Sequence, residues 1–283
     1  MEIKRVGVVG CGAMGAGIVQ VSAQAGYQVT VSEINETLLN RGLGLIENIL
    51  AKDVSKQKIT QAEKDSIQSR IKGTIDMKDF AGCDLVVEVV IENMDLKRKV
   101  FAELDKICPP QTILASNSSC LSILDIAMAT NRPDKVMGIH FFNPVPVMKL
   151  VELVRTISTS DETYNTGKQY AESAGKTVVN TKDTPGFIVN RLMVPQLLNA
   201  VRMLELGVAS REDIDAAVKL GLNHPMGPFS LIDLIGVDVV CFIAKAVYEE
   251  TKDDQFVIPT LLQKMLTAKW LGRKTGKGFY EYK

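Results

Sequence analysis

The segment RVGVVGCGAMGAGIV, at residues 5–19, decides the fold because a short apolar run meets regularly spaced glycines. Arg5–Val9 is rich in valine, which is typical of a buried strand. Gly10, Gly12 and Gly15 then form the pattern G-x-G-x-x-G, and a helical pattern follows. A strand, a glycine turn and a helix in this order predict a loop that binds a dinucleotide.

Each glycine in this loop has a physical task. Gly10 allows the tight turn, Gly12 lets a pyrophosphate approach the backbone, and Gly15 allows helix and strand to pack closely. The N-terminus of the helix offers N–H groups and partial positive charge to the phosphates. The cofactor is also expected to contact the residues between the glycines, which are Cys11, Ala13 and Met14.

Glu33 lies at the end of the next predicted strand, just beyond Gln28–Val31, and favours one nicotinamide cofactor over the other. A carboxylate at this position accepts hydrogen bonds from the ribose hydroxyls and repels a 2′-phosphate. NAD is therefore predicted rather than NADP. The alternative interpretation, glycines in an ordinary turn and a solvated Glu33, requires every element of the pattern to coincide by chance.

Composition excludes several classes of protein. The 283 residues carry 33 Lys plus Arg and 33 Asp plus Glu, so the net charge is zero. A protein that binds the phosphate backbone of nucleic acid needs a surplus of cations, and we expect no nucleic-acid partner. Apolar residues make up 46% of the chain and charged residues 23%, which is typical of a folded globular protein.

The cysteines, the histidines and the N-terminus indicate a cytoplasmic protein. Five scattered cysteines without a CxxC pair, and only two histidines, argue against disulfides and against a zinc site. The apolar run near the N-terminus imitates a signal peptide, but its glycines weaken the helix that a signal peptide needs. Since no other stretch is long and uncharged enough to span a bilayer, we expect no membrane association.

Alternating elements over residues 1–184 predict a Rossmann-type, doubly wound α/β domain with a mostly parallel sheet. The further predicted strands are 84–89, 112–115, 136–140, 149–154 and 176–179. The connection over about 34–72 is long for such a fold and carries several lysines. It is predicted as a helical insertion of two helices, 36–52 and 61–70, and insertions of this length are often functional.

The strand pattern stops after Val179, and residues 185–283 are predicted as an all-helical second domain. Thr184-Pro185 suits a helix start, because Thr can cap and Pro favours the first helical position. The first helix is predicted to run to Leu206, and the second from Ser210 to about Gly221. Two further helical stretches are predicted over 229–250 and 259–270.

His140 and Glu152 form the candidate acid–base pair. His140 ends a predicted strand, where ligands of open parallel sheets bind, and Glu152 lies on the next strand. A carboxylate bonded to one imidazole nitrogen fixes the tautomer and stabilises the protonated ring. Such a pair can remove a hydroxyl proton while a hydride leaves. A lone histidine is more often structural, and Glu152 could equally face solvent or a cation.

Other polar residues are weaker candidates. Asn117 and Ser119 follow a strand and could hold a substrate oxygen, although such clusters mostly form turns. Asn190 lies inside a predicted helix although asparagine has a low helix propensity. Its presence there indicates either a side chain that forms a hydrogen bond or an exposed polar position. Lys52 and Lys56 have i,i+4 spacing and could share one face, although solvated lysines are the simpler interpretation.

The chain resembles the short-chain L-3-hydroxyacyl-CoA dehydrogenase family, and most closely its bacterial members that act on 3-hydroxybutyryl-CoA. Six segments carry the resemblance over nearly the whole chain, in the family's order: VGVVGCGAMGAGI, SNSSCLSI, HFFNPVPVMKLVELV, KDTPGFIVNRL, HPMGPFSLIDLIG and GRKTGKGFYEY. The HFFNPVP and DTPGFIVNR stretches are far more specific than the glycine motif.

This resemblance implies reversible, NAD-dependent oxidation of an (S)-3-hydroxyacyl-CoA to a 3-ketoacyl-CoA such as acetoacetyl-CoA. It implies an NAD-binding domain over 1–184, and a substrate-binding domain over 185–283 through which two chains form a homodimer. His140 would be the catalytic base and Glu152 its orienting partner. Ser119 and Asn190 would bind the reacting oxygen or hold His140 and the substrate.

The resemblance also assigns binding residues that the pattern alone does not. It places Glu92, Lys97 and Asn117 beside the nicotinamide half of NAD, and Lys52 and Lys56 at the phosphates of coenzyme A. Two alternatives remain open: a dehydrogenase of a 3-hydroxy acid without coenzyme A, and a relative that binds NAD without turnover. The preferred acyl length and the physiological direction are not predicted.

Overall fold

The computed structural model describes residues 2–282, and the chain divides into two compact units, 1–184 and 185–283. The first unit contains one eight-stranded sheet with helices, and the second is helical. The predicted fold class is therefore confirmed. None of the helices between residues 2 and 282 is long and apolar enough to cross a membrane.

The sheet of the first unit has the strand order β3-β2-β1-β4-β5-β6-β7-β8. Its strands are β1 (Arg5–Val9), β2 (Gln28–Ser32), β3 (Ile71–Thr74), β4 (Leu85–Glu88), β5 (Ile113–Ser116), β6 (Val136–Phe141), β7 (Leu150–Arg155) and β8 (Thr177–Lys182). All neighbouring strands are parallel except β6 and β7. The order reverses between β1 and β4, and this reversal marks the crevice in which such folds bind ligands.

Six helices accompany the sheet: α1 (Ala13–Gln24), α2 (Glu36–Ser55), α3 (Gln61–Gln68), α4 (Met94–Ile107), α5 (Ile123–Ala127) and α6 (Asp161–Ser173). Local signals fix their starts, because the side chains of Asn35, Asn93 and Ser160 each cap a helix N-terminus. Every residue of β4, β5 and β6 is buried. This burial explains why these strands are mostly apolar, since helices cover both faces of a parallel sheet.

The long connection after β2 consists of α2 and α3 and leads into β3, a strand that the sequence pattern missed. Ile71 and Lys72, which the prediction placed inside or beside the helical insertion, pair with β2. β3 has only four residues, includes Gly73, and is half-exposed at the edge of the sheet. Such a short edge strand carries almost no hydrophobic periodicity.

The second unit contains α7 (Val189–Glu205), α8 (Arg211–Gly221), α9 (Pro228–Ile235), α10 (Val237–Thr251) and α11 (Thr260–Thr267). Thr184-Pro185 was the wrong start for its first helix. Gly186 and Phe187 have φ angles of 75° and 48°, so the left-handed backbone there delays the helix to Val189. The stretch predicted over 229–250 is two helices, because Gly236 has a φ of 108° and breaks it.

Buried carboxylates stabilise the second unit by accepting backbone hydrogen bonds. Asp215 accepts hydrogen bonds from the backbone N–H groups of Phe229 and Ser230, at 2.8 and 3.1 Å, and so caps α9. Asp233 accepts from the backbone N–H groups of Phe279 and Tyr280, at 2.9 and 2.8 Å. The C-terminal GKGFYEY stretch, one of the segments that carried the family resemblance, is therefore held against α9.

Candidate active site

The glycine loop between β1 and α1 has the geometry that a dinucleotide requires. Gly10 has a φ of 99°, and a side chain there would lie 2.9 Å from the carbonyl oxygen of Val89. A Cβ on Gly15 would lie 1.9 Å from the carbonyl oxygen of Gly10. A Cβ on Gly12 would meet no atom within 4 Å. The chain thus leaves open space beside Gly12, directly before the N-terminus of α1, where a pyrophosphate would bind.

Glu33 lies at this loop, one residue beyond β2. Its carboxylate accepts hydrogen bonds from the backbone N–H groups of Cys11, at 2.7 Å, and Ile34, at 3.1 Å. Burial raises the pKa of the Cys11 thiol to about 12, and the charge of Glu33 adds to this effect. The Cys11 thiol is therefore protonated at neutral pH and is not activated as a nucleophile.

His140 and Glu152 face each other across the only antiparallel strand pair of the sheet that the structure describes. The Nδ1 atom of His140 lies 2.7 Å from Oε2 of Glu152, and both side chains are buried. Directly paired residues on neighbouring strands point to the same face, so the register itself brings the two side chains together. The arrangement can fix the imidazole tautomer and stabilise its protonated form.

Asn117 and Phe142 frame His140. The side-chain oxygen of Asn117, just after β5, accepts a hydrogen bond of 2.8 Å from the backbone N–H of Phe141. This bond ties the end of β5 to the end of β6 beside the histidine. The rings of Phe142 and His140 are 4.5 Å apart between centroids, and the Asn143-Pro144 bond that follows is cis.

A group of charged and polar residues, largely buried, lies at the carboxyl end of β4, and we call it the Lys97 cluster: Lys97, Glu88, Glu92 and Ser116. The ammonium of Lys97 lies 2.8 Å from Oε1 of Glu88 and 3.2 Å from Oε2 of Glu92. The hydroxyl of Ser116 donates to Glu88 at 2.7 Å. Lys97 and Glu92, which the family resemblance named, are thus in direct contact, and Glu88 is a further charged partner of Lys97.

Sequence reasoning missed Glu88. One signal was available, because Glu88 is the last residue of the apolar strand LVVE and stands at the carboxyl end of the strand next to β1. A carboxylate that directly follows buried valines at that edge is costly to bury, and a functional reason is the natural explanation.

Glu92 connects the Lys97 cluster to the serines after β5. The backbone N–H of Ser119 donates to Glu92 at 2.8 Å, and the hydroxyl of Ser118 donates to the same oxygen. Burial alone would raise the pKa of Glu92, but the charge of Lys97 and these hydrogen bonds outweigh it. The pKa of this carboxyl therefore lies below its usual value. The backbone of Ser119, two residues after Asn117, is consequently held in place.

The remaining predicted site residues lie on other elements. Asn190 is the second residue of α7 in the second unit, and it is buried. Lys52 lies in the last turn of α2, and Lys56 directly follows that helix. Both lysines are exposed. No group of histidine, cysteine or carboxylate side chains that could hold a metal ion occurs among residues 2–282.

Two family models together match almost the whole chain. The 3-hydroxyacyl-CoA dehydrogenase NAD-binding domain matches residues 5–184, and the C-terminal domain of the same family matches residues 186–282. The chain therefore belongs to the 3-hydroxyacyl-CoA dehydrogenase family. The resemblance carried by the sequence motifs is confirmed, as is NAD as the cofactor of the first domain.

Similar proteins narrow the comparison within that family. A probable 3-hydroxybutyryl-CoA dehydrogenase of Bacillus subtilis is 45% identical over 282 residues, covering 100% of this chain and 98% of the relative. The crystal structure of FadB2 from Mycobacterium tuberculosis is 46% identical with a TM-score of 0.98 and full coverage of both chains. That of (S)-3-hydroxybutyryl-CoA dehydrogenase PaaH1 from Ralstonia eutropha is 41% identical, with a TM-score of 0.97 and the same coverage.

Proposed function

We propose that this protein catalyses the reversible, NAD-dependent oxidation of (S)-3-hydroxybutyryl-CoA to acetoacetyl-CoA. The buried His140–Glu152 pair at the ligand-binding edge of an NAD-binding sheet carries the proposal. Full-length relatives named 3-hydroxybutyryl-CoA dehydrogenases support the choice of substrate.

His140 is the proposed general base. Because the carboxylate of Glu152 accepts a hydrogen bond from Nδ1, the neutral ring carries its lone pair on Nε2. Nε2 removes the proton of the C3 hydroxyl during oxidation and returns it during reduction. Glu152 stabilises the imidazolium that forms. Bound NAD supplies the acceptor for the hydride that leaves C3.

The residues that would hold NAD lie beyond the carboxyl ends of β1, β2, β4 and β5. The backbone around Gly12 and the N-terminus of α1 would bind the pyrophosphate, where the chain leaves open space. Glu33 would accept hydrogen bonds from the adenosine ribose. Cys11, Ala13 and Met14 would line the phosphates, and Glu92, Lys97 and Asn117 would face the nicotinamide half.

Ser119 and Asn190 would orient the substrate oxygen toward His140. Ser119 is suited to this task because Glu92 fixes its backbone. Asn190 is suited because a buried amide at the start of α7 keeps its polar atoms inside the protein.

Lys52 and Lys56 would bind the phosphates of coenzyme A. Their exposure at the C-terminal end of α2 leaves both ammonium groups accessible to an anionic ligand. Replacing both with alanine should raise KM for acetoacetyl-CoA with little change in kcat, since the contacts are remote from the reacting carbon. The matched control is the single variant Lys58→Ala, which removes an exposed lysine that forms an ion pair with Asp53. Its KM for acetoacetyl-CoA should stay near that of the wild type.

The second unit is the proposed dimer interface. It exposes large apolar side chains, with Leu206 79% and Leu220 85% accessible. Exposed leucines on several helices favour burial against a second copy of the same chain. Sedimentation at micromolar concentration should give twice the 31.0 kDa chain mass.

The buried, unpaired cysteines fit the reducing cytoplasm in which we place the enzyme.

One assay tests the function. Purified protein should oxidise NADH, followed by absorbance, when acetoacetyl-CoA is added. Free acetoacetate at the same concentration separates a coenzyme A substrate from a simple 3-hydroxy acid. Equal turnover of acetoacetate would favour the dehydrogenase of a free acid. Cofactor binding without turnover of either compound would favour a non-catalytic relative.

A further inference from the structure

The Lys97 cluster carries more negative than positive charge. It contains one ammonium and two carboxylates, and the side chains of Lys97 and Glu88 are 1% and 0% accessible. Glu88 accepts hydrogen bonds from Lys97, Ser116 and the backbone N–H of Val90. Accepting from three donors is the behaviour of an ionised carboxylate. The carboxyl of Glu92 is charged as well, because its pKa lies below its usual value, and together with one ammonium the cluster has a net charge of −1.

This excess charge is more than the fold requires. One carboxylate is enough to neutralise Lys97, and a buried charge without a full counter-charge destabilises a protein. A glutamine at position 88 could still accept hydrogen bonds from Lys97 and Ser116 through its amide oxygen. The second carboxylate therefore indicates a positive charge that arrives with a ligand.

The proposed reaction says where that positive charge lies. The hydride leaves C3 while His140 takes the proton from the oxygen on the same carbon, so the nicotinamide ring lies close to His140. Glu88 ends β4, His140 lies near the end of β6, and only β5 separates the two strands. Two strand spacings correspond to about 10 Å. The ring is cationic in NAD⁺ and neutral in NADH, so a nearby negative cluster distinguishes the two forms.

We propose that Glu88 sets the preference of this enzyme for the oxidised over the reduced cofactor. The inference rests on the proposed function, because that reaction places the nicotinamide ring near His140. The side chain of Glu88 is fully buried, so Glu88 is proposed as a positioning residue. It acts through the net charge of the Lys97 cluster, which stabilises the cationic ring and has no such effect on the neutral one.

Removing the charge tests this role by binding measurements that need no turnover. In Glu88→Gln, the ratio of Kd for NAD⁺ to Kd for NADH should rise on the order of tenfold, as expected for one charge at about 10 Å in a partly buried site. In Glu88→Asp, which keeps the charge, the ratio should stay near that of the wild type. Titration calorimetry and NADH fluorescence give both constants at pH 7.

The chain offers a matched control in the last turn of α4. Asp105 is 7% accessible and bonded to Arg132 at 2.7 Å, before β5 and β6 at their amino-terminal ends. Asp105→Asn therefore removes one negative charge near the amino-terminal ends of these strands, away from the ends that carry Glu88 and His140. Its ratio should change by less than about twofold, because the distance exceeds the range over which screened charges interact strongly.

Several outcomes would overturn the proposal. An equal loss of affinity for both cofactors in Glu88→Gln, or the same shift in Glu88→Asp, would assign Glu88 to packing alone. Lys97→Gln makes the cluster more negative, so its ratio should fall; a rise would contradict the charge mechanism and would decide the question if Glu88→Gln does not fold. A wild-type protein that binds neither cofactor would instead refute the proposed function.

Discussion

The glycine loop after β1 and the polar residues after β4, β5 and β6 lie along the same edge of one sheet, yet they are built differently. Around Gly12 the chain offers backbone and empty space, with the single carboxylate of Glu33 at the rim. From Glu88 to His140 it offers buried, mutually bonded side chains. Holding a cofactor thus depends on shape, whereas moving a proton and a hydride depends on placed charges.

The sharpest test of this contrast is His140→Ala. If His140 is the general base, kcat should fall roughly 10²–10⁴-fold, because proton transfer by a positioned side chain contributes that much. The affinity for NADH, measured by fluorescence, should change little since the glycine loop is untouched. Near-normal turnover in this variant would remove His140 from the mechanism.

Glu152→Gln should have the next largest effect. The variant keeps a hydrogen-bond acceptor for Nδ1 but removes the charge that stabilises the imidazolium. Hydrogen bonds to charged groups contribute about 1.5–3 kcal/mol, so kcat should fall about ten- to a hundredfold. The pH dependence of kcat should change as well, and an unaltered pH profile would contradict the pairing.

In the glycine loop, two variants separate an effect on cofactor binding from an effect on stability. Gly12→Ala places a methyl group in open space, so the melting temperature should hold while Kd for NADH rises about tenfold by displacing the pyrophosphate. Gly15→Ala places its Cβ 1.9 Å from the carbonyl oxygen of Gly10, and overpacking of this kind costs about 1–3 kcal/mol or more.

Chemical denaturation and NADH titration of both variants provide the measurements. A Gly12→Ala protein as destabilised as Gly15→Ala would show that the space beside Gly12 is structural. Unchanged NADH affinity in Gly12→Ala would mean that the phosphates bind elsewhere.

Glu33→Gln should give the smallest effect. Without the negative charge, repulsion of a 2′-phosphate weakens, so the preference in kcat/KM for NAD over NADP should narrow by about tenfold or less. The neutral amide can still meet a ribose hydroxyl, and NAD should therefore remain the better cofactor. Asp105→Asn, in the last turn of α4, should leave the preference for NAD over NADP unchanged.

The same contrast explains how much of the molecule could be predicted from its sequence. The loop at Gly10–Gly15 is a local pattern, and every strand except β3 is a short run rich in apolar residues, so the loop and these strands were predicted. His140 and Glu152 are twelve positions apart on adjacent strands, and their pairing follows from one turn of the chain.

The contacts of Glu88 could not be predicted from a local pattern in this way. Its partners Lys97 and Ser116 come from different elements, and only the folded sheet brings them together. Backbone strain was equally hidden: left-handed conformations at Phe187 and Gly236 moved one helix start and split another helix, although the surrounding residues favour a helix.

The antiparallel β6–β7 pair has a consequence for the origin of the acid–base pair. Because side chains alternate along a strand, a slip of one residue would turn Glu152 to the opposite face of the sheet. The pairing of the two strands therefore also fixes the geometry of the His140–Glu152 pair. The pair belongs to a contiguous strand–loop–strand segment, 136–155, which is a unit that recombination or design could transfer to another sheet with its chemistry in register.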